Sequence, residues 1–226
     1  MKFKIFLFSF ILLSFSSLSA NTQHKYNVHE VPKNMSVQEK KERFFAIFVP
    51  AVDKVYKQLH HQYIQTKQLI AQNPKSSTLQ QLMKSYHAKD FNDLLMRLKP
   101  HPRSIALAQS AMESAWGTSR FLRIANNTFG VWSFNKNEPR VAAGKKRGDK
   151  VIYVKKYATI EDSIRDYYKL LATGGTFKEF RKAKMKTDNP YILVKYLNKY
   201  SERGAEYGKE LASMIKHNHL TKYDKE

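Results

Sequence analysis

Ser104-Ile105-Ala106-Leu107-Ala108-Gln109-Ser110-Ala111-Met112-Glu113-Ser114-Ala115-Trp116-Gly117-Thr118-Ser119 is the stretch on which the reading of this chain turns. Glu113 is its single ionisable side chain, in a protein where 26% of residues are charged. Pro102 stands where a helix begins and Gly117 where one stops, so a helix is predicted up to Trp116. Ala, Ser and Met occupy nearly every face of it, which places it inside the molecule. A carboxylate there is poorly solvated, and lost solvation favours the neutral form. The negative end of the helix dipole lies beside it and acts in the same direction. A carboxyl group that keeps its proton near neutral pH can donate it to a leaving group. An ion pair with Arg120 or Arg123 is the alternative use of the same side chain.

Outward from this helix the period changes. Thr128–Phe134 and Lys150–Tyr157 are rich in β-branched and aromatic residues and are predicted as strands, with 135–149 as a loop or hairpin region between them. Thr159 and Asp162 cap a helix through Leu171, closed by Gly174-Gly175. Further helices are predicted over 177–184, from Pro190 to about Tyr200, and over 205–217. Upstream, Ser36 and Glu39 form a capping box ahead of an amphipathic run to Gln72, which Pro50 should kink or split. Shorter helices follow at about 78–86 and 90–98. The predicted fold class is mainly α (α+β), with one small β element.

The first residues are a separate object. Lys2 and Lys4 precede an apolar run from Ile5 to Phe15 and the small-residue end Leu18-Ser19-Ala20. That is the form of a secretory signal peptide over 1–20, too short to span a bilayer, with a flexible leader over 21–35. No later stretch is apolar enough to cross a membrane. The 226 residues carry 40 Lys+Arg against 19 Asp+Glu, a formal charge of +21. Such an excess implies a polyanionic neighbour, and export makes nucleic acid the weakest candidate. With no cysteine, thiolate metal sites, thiol nucleophiles and disulfides are excluded. His60 and His61 are adjacent, as His217 and His219 nearly are, and neither pair can grip one ion from a helix. No metal or cofactor is expected. Serine-hydrolase, zinc-peptidase and phosphate-loop motifs are absent.

Ala111-Met112-Glu113-Ser114-Ala115-Trp116-Gly117-Thr118-Ser119-Arg120-Phe121, with Asn126-Asn127-Thr128-Phe129-Gly130-Val131-Trp132 after it, resembles the signature of the glucosaminidase family of bacterial peptidoglycan hydrolases. Tyr200-Ser201-Glu202-Arg203-Gly204-Ala205-Glu206-Tyr207 resembles the closing motif of its Bax-like branch. The likeness covers roughly 100–220. It implies a lysozyme-like α-lobe and a small β-hairpin lobe walling a sugar cleft, preceded by an N-terminal helical region over 36–99. It also implies hydrolysis of the β-1,4 bond after N-acetylglucosamine in peptidoglycan glycan strands, and the chain is expected to act as a monomer.

Residue by residue, Glu113 matches the family's general acid and Tyr200 its active-site tyrosine, although Tyr200 would equally suit a core. Family members usually carry a second carboxylate on the hairpin; Asp149 is the preferred match here and Glu138 the other. With a distant carboxylate activating water the anomeric centre would invert, and the substrate's own acetamide offers a second route. Asn127, Phe129 and Trp132 border the implied cleft and are candidates for sugar contacts, or for making the turn and seating the hairpin. Lys145, Lys146, Arg147 and Lys150 would suit stem-peptide carboxylates. Two other functions remain open: a peptidoglycan-binding module without turnover, and an exported basic protein that binds polyanions.

Overall fold

Ser36 starts the first helix as its sequence requires. Its hydroxyl accepts from the Glu39 amide at 3.2 Å, and the Glu39 carboxylate accepts from the Ser36 amide at 2.8 Å. The resulting helix, α1 (Val37–Gln72), runs unbroken through Pro50. Proline removes one backbone donor there, but Phe44, Phe48, Ala51, Val52 and Val55 on either side of it are all buried, and their shared packing carries the helix across. The computed structural model describes residues 26–147 and 150–225, without the side chains of 145–147 and 150. The expected signal peptide, the start of the leader, Asp149 and the side chains of the basic hairpin cluster therefore lie outside the described residues.

α2 (Ser77–Tyr86) and α3 (Phe91–Leu98) fold against the second half of α1, and Leu79, Tyr86, Leu94 and Leu98 form a small core with Ala172. α4 (Arg103–Glu113) is the central helix, buried at every residue from Arg103 to Ala111. A short α5 (Arg120–Ala125), capped by the Ser119 hydroxyl, leads to the hairpin. α6 (Ile160–Thr173) begins at the capping box of Thr159 and Asp162. α7 (Lys178–Lys184), α8 (Pro190–Leu193) with a 3-10 turn over Val194–Leu197, and α9 (Ala205–His217) complete the helical body. The main core joins Phe44, Phe48 and Val52 of α1 to Ile105, Ile164, Phe180 and Tyr207, so the first helix shares one interior with the later ones. The fold is mainly helical with one two-stranded sheet. No helix among the described residues is long and apolar enough to cross a membrane.

The hairpin departs from its sequence reading. Its strands are β1 (Arg140–Arg147) and β2 (Lys150–Lys155), antiparallel, and β1 falls within the stretch read as a loop or hairpin region. Its register slips between Ala142 and Lys146, around Gly144 at φ +77°. The predicted strand over 128–134 makes only a bridge from Trp132 to Val154, on the other side of β2. Thr128 and Phe129 are drawn into the core instead. Propensity had favoured the aromatic segment, and tertiary burial overrides it.

Candidate active site

Helix α4 was expected to reach Trp116 but ends at Glu113. The next residues double back, with Ala115, Trp116 and Gly117 at φ +50°, +61° and +76°. Left-handed backbone is unfavourable for residues with a Cβ and persists only where surrounding contacts dictate it. Here they do. The Ser114 hydroxyl donates to the Ser110 carbonyl at 2.5 Å and accepts from the Gly117 amide at 2.8 Å. The Trp116 amide returns to the Ala111 carbonyl at 2.8 Å. Arg43 of α1, 1% exposed, donates to the Gly117 carbonyl at 2.9 Å and to the carbonyls of Asn27, Glu30 and Val28 at 2.6, 3.0 and 3.3 Å. One buried guanidinium thus pins both the leader and the turn that follows Glu113.

Glu113 stands at the end of a hydrogen-bonded chain. The Tyr167 hydroxyl of α6 donates to Gln109 Oε1 at 2.5 Å, Gln109 Nε2 donates to Tyr207 Oη at 2.9 Å, and the Tyr207 hydroxyl donates to Glu113 Oε1 at 2.8 Å. Gln109 and Glu113 lie one turn apart on α4 and so share a face. Tyr207 has a single hydrogen, committed to Oε1, so a proton carried by Glu113 belongs on Oε2. Burial pushes the Glu113 carboxyl above its ordinary range, opposed by the Tyr207 bond and by Arg203. Arg203 is itself paired with Glu210 and lies over the Tyr207 ring, which blunts its charge.

Tyr200 lies in this cluster without bonding Glu113. It stacks on Tyr207, with centroids 5.6 Å apart and planes at 10°, and meets Tyr167 edge-on at 6.3 Å. Burial and the Glu113 carboxylate both raise its pKa. Glu138 is held by the Ser133 hydroxyl at 2.7 Å. It acts through space on Tyr157, whose hydroxyl donates to Asp166 at 2.7 Å, and Asp166 also pairs with Lys155 at 2.9 Å. Burial raises the Tyr157 pKa, and the Asp166 and Glu138 carboxylates raise it further.

The remaining candidates divide between interior and surface. Asn127 is 1% exposed; its amide donates to the Val131 and Lys155 carbonyls at 3.0 and 2.9 Å and accepts from the Val131 amide at 3.0 Å. Phe129 lies face to face on Tyr167, with centroids 4.1 Å apart. Both side chains therefore fix the turn and the hairpin. Trp132 is 42% exposed and Phe134 85%, their rings 6.1 Å apart, and these two are the aromatic surface beside the hairpin. The arrangement combines one desolvated acid, aligned by a tyrosine, with an aromatic ledge and a second group of carboxylates.

A family model described as Mannosyl-glycoprotein endo-beta-N-acetylglucosaminidase matches residues 88–220. The chain belongs to the glucosaminidase family. Protein bax of Escherichia coli (strain K12) is 30% identical over 134 residues, 57% of this chain and 47% of that protein, so the chain spans about half the length of this relative. Among solved structures, the catalytic domain of the autolysin Auto from Listeria monocytogenes overlays with a TM-score of 0.48 at 18% identity, covering 85% of this chain and 100% of that one. The glycoside hydrolase domain of FlgJ from Salmonella typhimurium gives 0.44 at 21% identity, over 63% and 89%.

Within this glucosaminidase chain, sequence reasoning missed Gln109, Tyr207 and Asp166. Gln109 was detectable, being the polar side chain one turn before Glu113 in an otherwise small and apolar helix. Tyr207 stood in the same closing motif as Tyr200, but only the packing of α9 against α4 selects which tyrosine meets the acid. Asp166 carries no local signal beyond lying one turn after Asp162.

Proposed function

We propose that this glucosaminidase-family chain is an exported, cofactor-independent peptidoglycan hydrolase that cuts the β-1,4 bond after N-acetylglucosamine. The observation that carries the reading is Glu113: a carboxyl held above its ordinary pKa by burial, with Oε1 engaged by Tyr207. Its Oε2 proton passes to the glycosidic oxygen as the bond from C1 to that oxygen breaks, and the oxygen keeps the bonding electrons. The positive charge at C1 is met either by the substrate's acetamide oxygen or by water deprotonated at a second carboxylate. Glu138 is the described candidate for that base, and Asp149 stays a candidate beyond the described residues. Tyr200, stacked on Tyr207 within reach of the Glu113 field, would border the reacting sugar. Trp132 offers an exposed aromatic face to a sugar ring, while Asn127 and Phe129 set the position of the wall that carries it.

The test is digestion of purified sacculi. Glu113→Gln is expected to lower muropeptide release by about 10²–10⁴-fold, the usual weight of a general acid, while the protein still sediments with sacculi. Mass spectrometry should show N-acetylglucosamine at the new reducing ends. Undiminished release by the variant, or new ends at N-acetylmuramic acid, would refute the assignment.

A further inference from the structure

A groove of about 850 Å³ lies apart from Glu113, between the second half of α1 with α2 and α3 on one side and α6 with the end of β2 on the other. Glu138, Tyr157, Lys99, His101 and Lys184 are among its lining residues. Glu138, the described candidate for the second carboxylate, lines this groove, so the groove adjoins the candidate active site.

Among its charged lining residues, seven lysines and arginines outnumber three carboxylates, which do not satisfy all of them. Asp166 takes Lys155, Asp162 takes Arg165, and Asp188 takes Lys99. Lys169 has no carboxylate partner among the described residues. Its ammonium lies 3.2 Å from the centre of the Tyr86 ring and donates to the Ser85 hydroxyl at 3.1 Å. Lys184 is buried and donates to the Lys99 carbonyl, with no carboxylate paired to it among the described residues. A second observation is independent of charge. His101 is 1% exposed and its Nδ1 faces the Pro102 carbonyl at 3.1 Å, so Nδ1 carries the hydrogen and Nε2 a lone pair. That Nε2 is buried with no partner. Buried polar atoms in native proteins are nearly always paired, and an unpaired one in a groove marks a place for a donor.

A ligand suited to this lining carries carboxylates for Lys169 and Lys184 and an N–H donor for His101. In a peptide-bearing strand the lactyl carboxyls of the glycan are tied up as amides and offer no anion, whereas a short acidic peptide has both groups. We propose that the groove binds the carboxylate-bearing stem peptide of the wall strand whose glycan is cut at Glu113, so that the N-terminal helices supply a peptide subsite. This inference rests on the wall-hydrolase reading, and its test separates the two.

The probe is a synthetic L-Ala-γ-D-Glu-diaminopimelate tripeptide, titrated calorimetrically into the full folded chain. Lys169→Glu should weaken binding about tenfold, with Lys169→Gln intermediate, and added salt should weaken the wild type more than the Glu variant. On peptide-bearing sacculi Lys169→Glu should raise KM about tenfold at unchanged kcat, and on peptide-free glycan with its lactyl carboxyls capped as amides it should change neither. Thermal melts of both variants report folding, and the glutamine variant keeps the test valid if charge reversal unfolds the chain. Absence of tripeptide binding to the wild type, or equal affinity in all three proteins, overturns the proposal. So does an equal loss of activity on the capped peptide-free glycan. Failure to cut any glycan would refute the hydrolase reading instead, while the calorimetric result would still decide whether the groove takes the peptide.

Discussion

At the scale of single residues the chemistry centres on one proton. Glu113 has a folded pKa above its unfolded value, so between the two the native state binds more protons than the unfolded chain. Its contribution to stability is complete below the unfolded pKa and is lost as pH rises through the folded one. Glu113→Gln keeps the shape and an oxygen for Tyr207 but carries no charge. It should therefore stabilise the fold at pH 7–8 by about 1 kcal/mol, or roughly 2–4 °C in Tm for a chain of this size, and change little near pH 4. Melting curves at the two pH values check this, and equal shifts at both would contradict it. Tyr207→Phe removes the bond that lowers the same pKa and leaves Gln109 Nε2 without its acceptor. The alkaline limb of the rate–pH profile should move to higher pH and kcat should fall about tenfold; an unmoved limb would show that Tyr207 does not tune the acid. Glu113 was legible because an isolated charge among Ala, Ser and Met is a local fact. The choice of Tyr207 over Tyr200 was not, because Gly204 at φ +60° lies between them and redirects the chain into α9.

At the scale of elements, the end of α4 is set by contacts distant in sequence. Nothing in Ser114-Ala115-Trp116 forbids helix, which is why the sequence predicts one to Trp116. The turn is dictated by Ser114 and by Arg43, the latter 74 residues from Gly117. Arg43→Met should orphan buried carbonyls of the leader and of Gly117 together, costing about 3 kcal/mol in urea unfolding. Because the turn follows Glu113 directly, kcat should fall while KM on sacculi holds. A variant that loses stability with kcat intact would confine Arg43 to the fold. The hairpin teaches a related lesson. β1 is rich in Lys, Arg, Ala and Gly, poor strand formers in isolation, and only its ladder with β2 makes it a strand. The helix starts at Ser36 and Thr159 were readable because a capping box is a three-residue pattern closed within itself.

Across the whole molecule, charge and burial are in tension. A chain with a formal charge of +21 repels itself, yet the packing of α7 against the end of α3 buries Lys184 beside Lys99 and Arg181. Burial and those neighbouring cations lower the Lys184 pKa from 10.5 to about 7. The folded chain then releases this proton near pH 7 and the unfolded chain only near 10.5, so between them the unfolded state binds more protons and stability rises with pH. His101 acts in the same sense lower down. Burial depresses it from 6.5 to about 3, so stability falls as pH drops below 6.5 and the unfolded chain takes up a proton the native state refuses. Sequence gave no sign of either group, since Lys184 reads as one of many surface lysines and His101 as a residue before a helix; only the closure of α7 over α3 and α6 buries them. Urea unfolding at intervals from pH 4 to pH 9 should show stability climbing through both windows. Lys184→Met should flatten the climb between pH 7 and 9 and leave the one below pH 6.5 in place. If the variant keeps the upper slope, Lys184 is charged in the native state and the repulsion is relieved elsewhere.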